Sequence, residues 1–142
     1  MSRPTSPGGD GAVVLGLDFG GTKTAAAVAD LDGRVIATQV VDSRSPGDTA
    51  EQTFARGLAL GAGLVATATG AGEGTGLERL AAVGACTFGI PFDDRVELAP
   101  TIPGWDRIAF GERIRGAFPG VKVRVATDVK ACLLYTSPSP RD

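Results

Sequence analysis

The sequence predicts a single α/β domain in which three strands precede alternating helices and strands. Its 142 residues are enough for one domain with a hydrophobic core. Short apolar runs rich in β-forming residues recur along the chain, and a long alanine-rich segment between them repeats its apolar positions at helical spacing. This order of patterns is typical of an open sheet with helices packed on it.

The first three strands are expected to form an antiparallel meander from about Ala12 to Asp42. The run VVLGLD is short and apolar, and TAAAVAD can return beside it. The glycine pair Gly20 and Gly21 permits the positive φ angles that a tight hairpin turn demands. The turn DLDG and the run GRVIATQVVD then complete the meander.

A helix is expected from about Thr49 to Ala68. The stretch SRSPGD ends the β pattern, and Asp48 followed three positions later by Glu51 resembles an N-cap arrangement. The apolar positions at helical spacing are Phe54, Leu58, Ala62 and Val65. The segment GAGLVA from Gly61 matches G-x-G-x-x-A, but it follows no strand, so we interpret it as helix and not as a cofactor loop.

The second half of the chain predicts shorter elements. The glycine-rich segment TGAGEGTG predicts a flexible surface loop, and Leu77 to Ala82 predicts a helical turn. The run AAVGACTF predicts a buried strand that leads into the loop GIPFDD. RVELAPTIPGW predicts a brief strand and a stiff loop ending at Trp105, which either packs in the core or lines a ligand pocket. Asp106 is expected to cap an amphipathic helix to about Phe118, and VKVRVA to form the last strand.

Composition excludes several functions. Lys and Arg number 14, Asp and Glu 16, and there is no histidine, so the net charge of −2 predicts no affinity for nucleic acid or membranes and no histidine-based triad. Cys86 and Cys132 lie in or beside apolar runs and are expected to be buried, reduced thiols. No signal peptide or membrane-spanning run is recognisable, which predicts a cytoplasmic location.

The segment LGLDFGGTKT is a candidate phosphate site. It does not fit a P-loop, because Thr22 stands where the lysine should be, and it contains no G-x-G-x-x-G. In a hairpin, the turn's N–H groups, the hydroxyls of Thr22 and Thr24 and the ammonium of Lys23 can surround an anion. Asp18 would repel a bare phosphate, so it indicates Mg²⁺ between carboxylate and nucleotide. The alternative is an ordinary hairpin with a solvated acid at its mouth.

A second acid, Asp128, follows the last predicted strand directly. Ligands of open α/β sheets bind beyond the strand ends, so Asp18 and Asp128 would face one cleft if their strands are neighbours. Asp128 could then accept the proton of an attacking hydroxyl during phosphoryl transfer. The alternative is an aspartate that caps a helix.

Three segments in order, LGLDFGGTKTAAAVADLDG, LAPTIPGWD and ATDVKA, resemble the N-terminal half of ROK family sugar kinases, from about Val13 to Ala131. The resemblance implies an actin-like, ribonuclease-H-like α/β lobe, ATP with Mg²⁺, and phosphorylation of a hexose hydroxyl by a glucokinase-like or fructokinase-like, homo-oligomeric parent. The positions that match the phosphate and metal loop are Asp18, Gly20, Gly21, Thr22, Lys23 and Thr24. Asp128 matches the catalytic base, and Gly89, Thr101 and Thr127 fall in segments that resemble the sugar-contacting loops.

The resemblance has departures that leave the sugar open. Many family members have asparagine in place of Thr101 and of Thr127, and a threonine lacks the paired donor and acceptor of an amide. The resemblance also admits a ROK transcriptional regulator or a non-sugar ATPase of the same superfamily. A regulator would carry a DNA-binding domain before the first motif, which the short Pro- and Gly-rich residues 1–12 are expected not to form, and APTIPGW resembles the sugar kinases specifically.

The end of the sequence departs from the family pattern. Residues 1–12 are expected to be a disordered tail and residues 13–131 the N-terminal lobe. Residues 132–142, CLLYTSPSPRD, resemble translated adaptor sequence, and their Ser-Pro steps would end a helix. We therefore expect a truncated reading frame whose C-terminal lobe, with most of the adenosine pocket and any structural zinc site, is missing, and a fragment that is inactive alone.

Overall fold

The computed structural model of the chain describes residues 11–71 and 74–127. The predicted meander is confirmed: β1 (Val13–Phe19), β2 (Lys23–Asp30) and β3 (Val35–Asp42) pair antiparallel in sequence order. Alternate residues of β1 and β2 are buried, as the two-residue period of a strand requires when one face of a sheet meets the core. This buried face of β1 consists of Val13, Leu15, Leu17 and Phe19.

Two later strands extend the sheet on the other side of β1. β4 (Leu80–Thr87) pairs parallel to β1, and β7 (Lys122–Thr127) pairs parallel to β4. The strand order of this five-stranded sheet is β3-β2-β1-β4-β7. Because Phe19, Thr87 and Thr127 are in register, β1, β4 and β7 all end at the same edge of the sheet.

A small antiparallel ribbon follows β4. It consists of β5 (Ile90–Pro91), within the predicted loop GIPFDD, and β6 (Val96–Glu97), where a brief strand was expected. The helical turn predicted up to Ala82 is wrong in its second half. A 3₁₀ turn covers Leu77–Arg79, and the chain then enters β4 because its next residues pair with β1.

Helix α1 (Ala50–Thr69) matches the predicted helix within one residue at each end. Its cap is different, because Thr49 and not Asp48 is the N-cap residue. The Thr49 hydroxyl accepts the Gln52 N–H at 3.1 Å, and the Gln52 side chain accepts the Thr49 N–H at 2.8 Å. This reciprocal pair is a capping box that satisfies two backbone donors at the helix start.

Two glycines allow α1 to lie close against β1. A Cβ on Gly57 would come within 2.3 Å of the Phe19 ring, and one on Gly61 within 2.8 Å of Leu17. The segment GAGLVA is therefore helix, as predicted, and its first glycine serves the packing of the helix on the sheet.

An aromatic cluster fills the core beneath the end of β1. The Phe19 ring stacks on Phe54 with centroids 5.2 Å apart and meets Phe110 edge-on at 5.5 Å. Trp105 is fully buried against Phe19, and its indole N–H donates to the Thr87 hydroxyl at 2.9 Å. Core packing, the first of the two interpretations of Trp105, is thus the one that the structure supports.

Helix α2 (Phe110–Ala117) is shorter than predicted at its start. The prediction that Asp106 caps it is wrong, because Asp106 lies inside a 3₁₀ turn, Trp105–Arg107, and the N-cap position is Ala109, which makes no side-chain cap bond. Burial of Trp105 holds this turn in place and separates it from the helix. In the described ranges, neither α1 nor α2 is long and apolar enough to cross a membrane.

Candidate functional site

The candidate phosphate turn, residues 20–22, connects β1 to β2 at the edge where β1, β4 and β7 end. The Gly20 N–H closes it by donating to the Lys23 carbonyl at 2.9 Å. Contrary to the sequence-based expectation, neither Gly20 nor Gly21 adopts a left-handed φ. Glycine is needed for close approach instead: a Cβ on Gly20 would meet the Lys23 carbonyl oxygen at 2.7 Å, and one on Gly21 the Thr101 Cγ2 at 2.5 Å.

The turn presents backbone donors to the exterior. Among residues 11–71 and 74–127, neither the Gly21 N–H nor the Thr22 N–H donates to another backbone group. Gly21 is half-buried and Thr22 exposed, so a ligand can reach both. Consecutive unpaired amides of this kind are a common way to bind phosphate oxygens.

Asp18 lies on the sheet face opposite the aromatic core, and its side chain is exposed. The parallel pairing of β1 and β4 places Cys86 beside it, and the Cys86 thiol donates to Asp18 Oδ1 at 3.5 Å. Cys86 is half-buried, so the expectation of a fully buried thiol is wrong. Its position follows from a pairing between strands 68 residues apart, which no local pattern in the sequence indicates.

Asp18 fits a magnesium site only as one ligand among several. Within the part of the chain that the structure describes, there is no group of three or more Cys, Asp or Glu side chains that could hold a metal ion. Mg²⁺ in phosphoryl-transfer sites is bound by one or two carboxylates together with substrate phosphates and water. The single carboxylate of Asp18 therefore suits an ion that arrives with a nucleotide.

Lys23 begins β2 on the same face as Asp18, but its ammonium forms an ion pair with Asp42, its cross-strand partner on β3. The hydrogen bond from Lys23 holds the pKa of the Asp42 carboxyl below its usual range. Both side chains are more than half exposed. A phosphate near the turn would have to share the Lys23 ammonium with Asp42.

Thr24 points away from the open side of the turn. Its side chain is buried on the core face of β2, 2% exposed, and its hydroxyl lies 2.9 Å from the hydroxyl of Ser43. This position is incompatible with the predicted phosphate contact, so we assign the Thr24 hydroxyl to the support of the turn. Ser43, which follows β3, was missed in the sequence, where SRSPGD was recognised only as a break in the β pattern.

The three predicted sugar-contacting residues lie at the same sheet edge, Gly89 and Thr101 in loops and Thr127 at the end of β7. Thr101 is exposed, with its methyl group against Gly21. Thr127 ends β7 in register with Thr87. Gly89 has φ of +80°, and a Cβ there would meet the Glu97 carbonyl oxygen at 2.7 Å, so its backbone alone accounts for the glycine.

Asp128, the predicted base, lies outside the described residues, as do residues 1–10 and 132–142 of the predicted terminal segments. Thr127, immediately before it, is the last residue that the structure describes. The described part of the site is therefore the turn, Asp18 and the loops that follow β4 and precede α2.

Comparison with known proteins gives structural matches. The Thermus thermophilus ROK hexokinase is 29% identical, with a TM-score of 0.63 over 86% of this chain and 37% of that one. A ROK family glucokinase from Streptomyces griseus, in complex with glucose and AMPPNP, is 28% identical, with a TM-score of 0.59 over 84% of this chain and 34% of that one. A ROK family transcriptional regulator, 22% identical, shares the fold with a TM-score of 0.63, over 87% of this chain and 30% of that one.

The predicted resemblance is therefore confirmed at the level of structure: most of this chain is similar to the N-terminal portion of ROK hexokinases and glucokinases, and its fold is their actin-like α/β lobe. The chain spans about a third of the length of these matches. No protein-family model and no curated protein matches the sequence.

Proposed function

We propose that this chain supplies the phosphate-binding lobe of an ATP-dependent sugar kinase, which transfers the γ-phosphoryl group of ATP to a hexose hydroxyl. The observation that carries the proposal is the pair of open amides at Gly21 and Thr22. They lie beside the end of β1, where Asp18 presents its carboxylate. Open amides occur in any tight hairpin turn, so the proposal depends on their combination with an exposed acid and a lysine at the same sheet edge. Similarity to a ROK hexokinase and a ROK glucokinase supports the substrate class.

Each group has a role in phosphoryl transfer. The Gly21 and Thr22 amides would hold nonbridging phosphate oxygens, with Gly20 closing the turn that presents them, and the Lys23 ammonium would add positive charge once it turns from Asp42. Asp18 would hold Mg²⁺ directly or through water, and this ion, when bound, neutralises charge on the transferred group. The protein thereby positions the nucleotide and stabilises charge, which is most of what this reaction requires.

The acceptor side of the reaction is assigned to the neighbouring loops. We propose Asp128 as the base that receives the proton of the hexose hydroxyl, because β7 ends in register with β4 and β1 at the edge that carries the turn. Thr101, Thr127 and the Gly89 backbone are proposed as hexose contacts. The contact of Thr101 with Gly21 supports this arrangement, since it brings the proposed sugar loop beside the phosphate turn.

A ROK transcriptional regulator is the second candidate, because such a protein shares this fold. A regulator need not transfer phosphate, so the two candidates differ in whether ATP is consumed. We favour the kinase because the open amides and Asp18 together suit a nucleotide with its metal ion, a ligand that sugar sensing alone does not require.

A two-part experiment tests the proposal. The 142-residue chain and the product of the uninterrupted gene that contains it are assayed with Mg·ATP and a panel of glucose, fructose, mannose and N-acetylmannosamine. We expect turnover from the longer product only, because a single lobe cannot close a water-excluding cleft. In that product Asp128→Ala should lower kcat by about 10²- to 10⁴-fold, the usual contribution of a general base. Full turnover by Asp128→Ala would refute the base assignment, and ATP-independent sugar binding without turnover would favour the regulator.

A further inference from the structure

Ser43 connects the end of β3 to the phosphate turn through three hydrogen bonds. Its side chain is 1% exposed. Its backbone N–H donates to the Thr22 carbonyl at 2.8 Å, its hydroxyl donates to the Gly20 carbonyl at 2.6 Å, and the Thr24 hydroxyl lies 2.9 Å from its own. One residue thus contacts both ends of the turn and the strand that leaves it.

The direction of the hydroxyl bonds follows from the number of protons. The Gly20 carbonyl can only accept, so the single proton of the Ser43 hydroxyl is donated to it. Ser43 Oγ must then accept from the Thr24 hydroxyl. The resulting relay runs from Thr24 through Ser43 to Gly20, and it is buried, where a lost partner leaves polar atoms unsatisfied.

Ser43 also fixes the orientation of the peptide units beside the open amides. A two-residue hairpin turn usually pairs the flanking residues by two backbone bonds, whereas among the described residues here only the bond from the Gly20 N–H to the Lys23 carbonyl is formed, and the Gly20 carbonyl accepts from the Ser43 hydroxyl instead. The Thr22 carbonyl is held by the Ser43 N–H. The Gly20 carbonyl shares its peptide unit with the Gly21 N–H, and the Thr22 carbonyl shares its unit with the Lys23 N–H, so Ser43 holds these two units directly and thereby restricts the Gly21–Thr22 unit between them.

Helix α1 holds Ser43 itself in place. The Arg56 guanidinium donates to the Ser43 carbonyl at 3.2 Å and pairs with Asp48 at 2.9 Å. The Asp48 carboxylate accepts the Ser45 N–H at 2.6 Å, and this bond is the main cause of the lowered pKa of Asp48. The loop from Ser43 to Asp48 is thereby tied to the helix.

We propose that Ser43 is a positioning residue for phosphate binding, acting with Thr24 to fix the turn so that the Gly21 and Thr22 amides converge on a phosphate group. The inference rests on the proposed function for its ligand, Mg·ATP, but not for its geometry. Neither residue contacts the ligand in this scheme. Their effect is on the orientation of the amides and hence on the affinity for phosphate.

The test uses the ¹⁵N-labelled 142-residue chain, titrated with Mg·ATP while the Gly21 and Thr22 amide resonances are followed. The variants are Ser43→Ala, Thr24→Val, which keeps the shape and removes the hydroxyl, and Thr24→Ser, which keeps the hydroxyl. Thr53→Val is the matched control, since Thr53 is also a threonine of 2% exposure but its hydroxyl has no partner among the described residues. All measurements are made well below the unfolding temperature of the least stable variant.

We expect Ser43→Ala and Thr24→Val each to weaken Mg·ATP binding by about tenfold. This is the change in affinity that corresponds to the loss of about one hydrogen bond that orients the turn. Thr24→Ser should restore the affinity to within about twofold, and Thr53→Val should leave it unchanged. A merely structural role would lower the stability of these variants and leave the affinity of the folded chain for Mg·ATP unchanged. Wild-type affinity in both Ser43→Ala and Thr24→Val would overturn the inference.

Failure of the proposed function would look different, because neither the 142-residue chain nor the longer gene product, wild type included, would then respond to Mg·ATP. The positioning role is in that case decided by hydrogen exchange in the free chain. Ser43→Ala should accelerate exchange of the Gly20 amide, which closes the turn, by about tenfold while the Leu17 amide in β1 is unaffected. Unchanged exchange at Gly20 would overturn the inference without reference to any ligand.

Discussion

Replacing Gly21 by alanine tests whether the phosphate turn and the loop around Thr101 are in direct contact. The added Cβ would lie 2.5 Å from Thr101 Cγ2 and 3.5 Å from Thr101 Cβ. Carbon atoms pack at about 3.5 to 4.0 Å, so only the threonine methyl group must move, by about 1 Å. Thr101→Ser removes that methyl group and leaves an ordinary contact, which makes it a compensating partner for Gly21→Ala.

The magnitude follows from two opposing effects. Overpacking typically costs about 1 to 3 kcal/mol, and the exposed Thr101 side chain can yield, so we take about 1.5 kcal/mol. Because Gly21 does not have a left-handed φ, alanine also restricts the unfolded chain and contributes about 0.4 to 1 kcal/mol of stability. Gly21→Ala should therefore destabilise the wild-type chain by about 1 kcal/mol but be neutral or stabilising in the Thr101→Ser background.

Urea denaturation followed by far-ultraviolet circular dichroism, on the four members of this double-mutant cycle, measures the coupling directly. The expected coupling free energy is about 1.5 kcal/mol between the two positions. An identical effect of Gly21→Ala in both backgrounds would refute the reasoning, because it would show that the turn and the Thr101 loop do not touch. It would also remove the contact that supports a shared site for phosphate and sugar.

Three further predictions concern the core and its edge. Thr53→Val should stabilise the chain by about 1 kcal/mol in urea denaturation, since it removes a buried hydroxyl that has no partner in the described structure; a loss of more than 1 kcal/mol would contradict this. Arg113 is hydrogen bonded to both oxygens of Glu51 and lowers the pKa of that carboxyl from its ordinary 4.5. The contribution of this ion pair to folding stability is therefore complete above pH 4.5 and is lost as pH falls through the lowered pKa. Because both side chains are more than a third exposed, Glu51→Gln should remove less than about 1 kcal/mol, and no pH-dependent difference from wild type between pH 3 and 6 would contradict the pairing. Trp105→Phe should cost about 2 to 4 kcal/mol, measured by calorimetry, because it leaves a cavity and removes the donor to Thr87; a cost below 1 kcal/mol would show that the indole is not essential to the core.

The order and type of the main elements could be predicted from sequence because each has a strong local period. β1 and β2 alternate buried and exposed residues, and α1 repeats its apolar positions over 20 residues, so their patterns survive without tertiary information. The caps were not predictable in the same way. Asp48 and Thr49 are adjacent and both suit an N-cap, and only the geometry of the loop, with Asp48 engaged by Ser45 and Arg56, decides between them.

The site was only partly predictable for a related reason. The turn and Asp18 are contiguous in sequence, so their chemistry could be identified from the motif. Cys86 and Ser43 reach the site from β4 and from the end of β3, through strand registers that no local pattern specifies. The burial of Thr24 was also hidden, because the expected hairpin did not establish which face of β2 would meet the core.

The aromatic cluster has a practical consequence for studying this protein. Trp105 is the only tryptophan in the chain, so all indole fluorescence arises from one buried ring. That ring lies 5.7 Å from Phe19, the residue directly before the phosphate turn, and 5.2 Å from Phe88, at the start of the loop that leads to the proposed sugar contacts. Its emission should be blue-shifted in the native state, and a change in its intensity on adding a nucleotide or a sugar would report the arrival of either ligand without any added label.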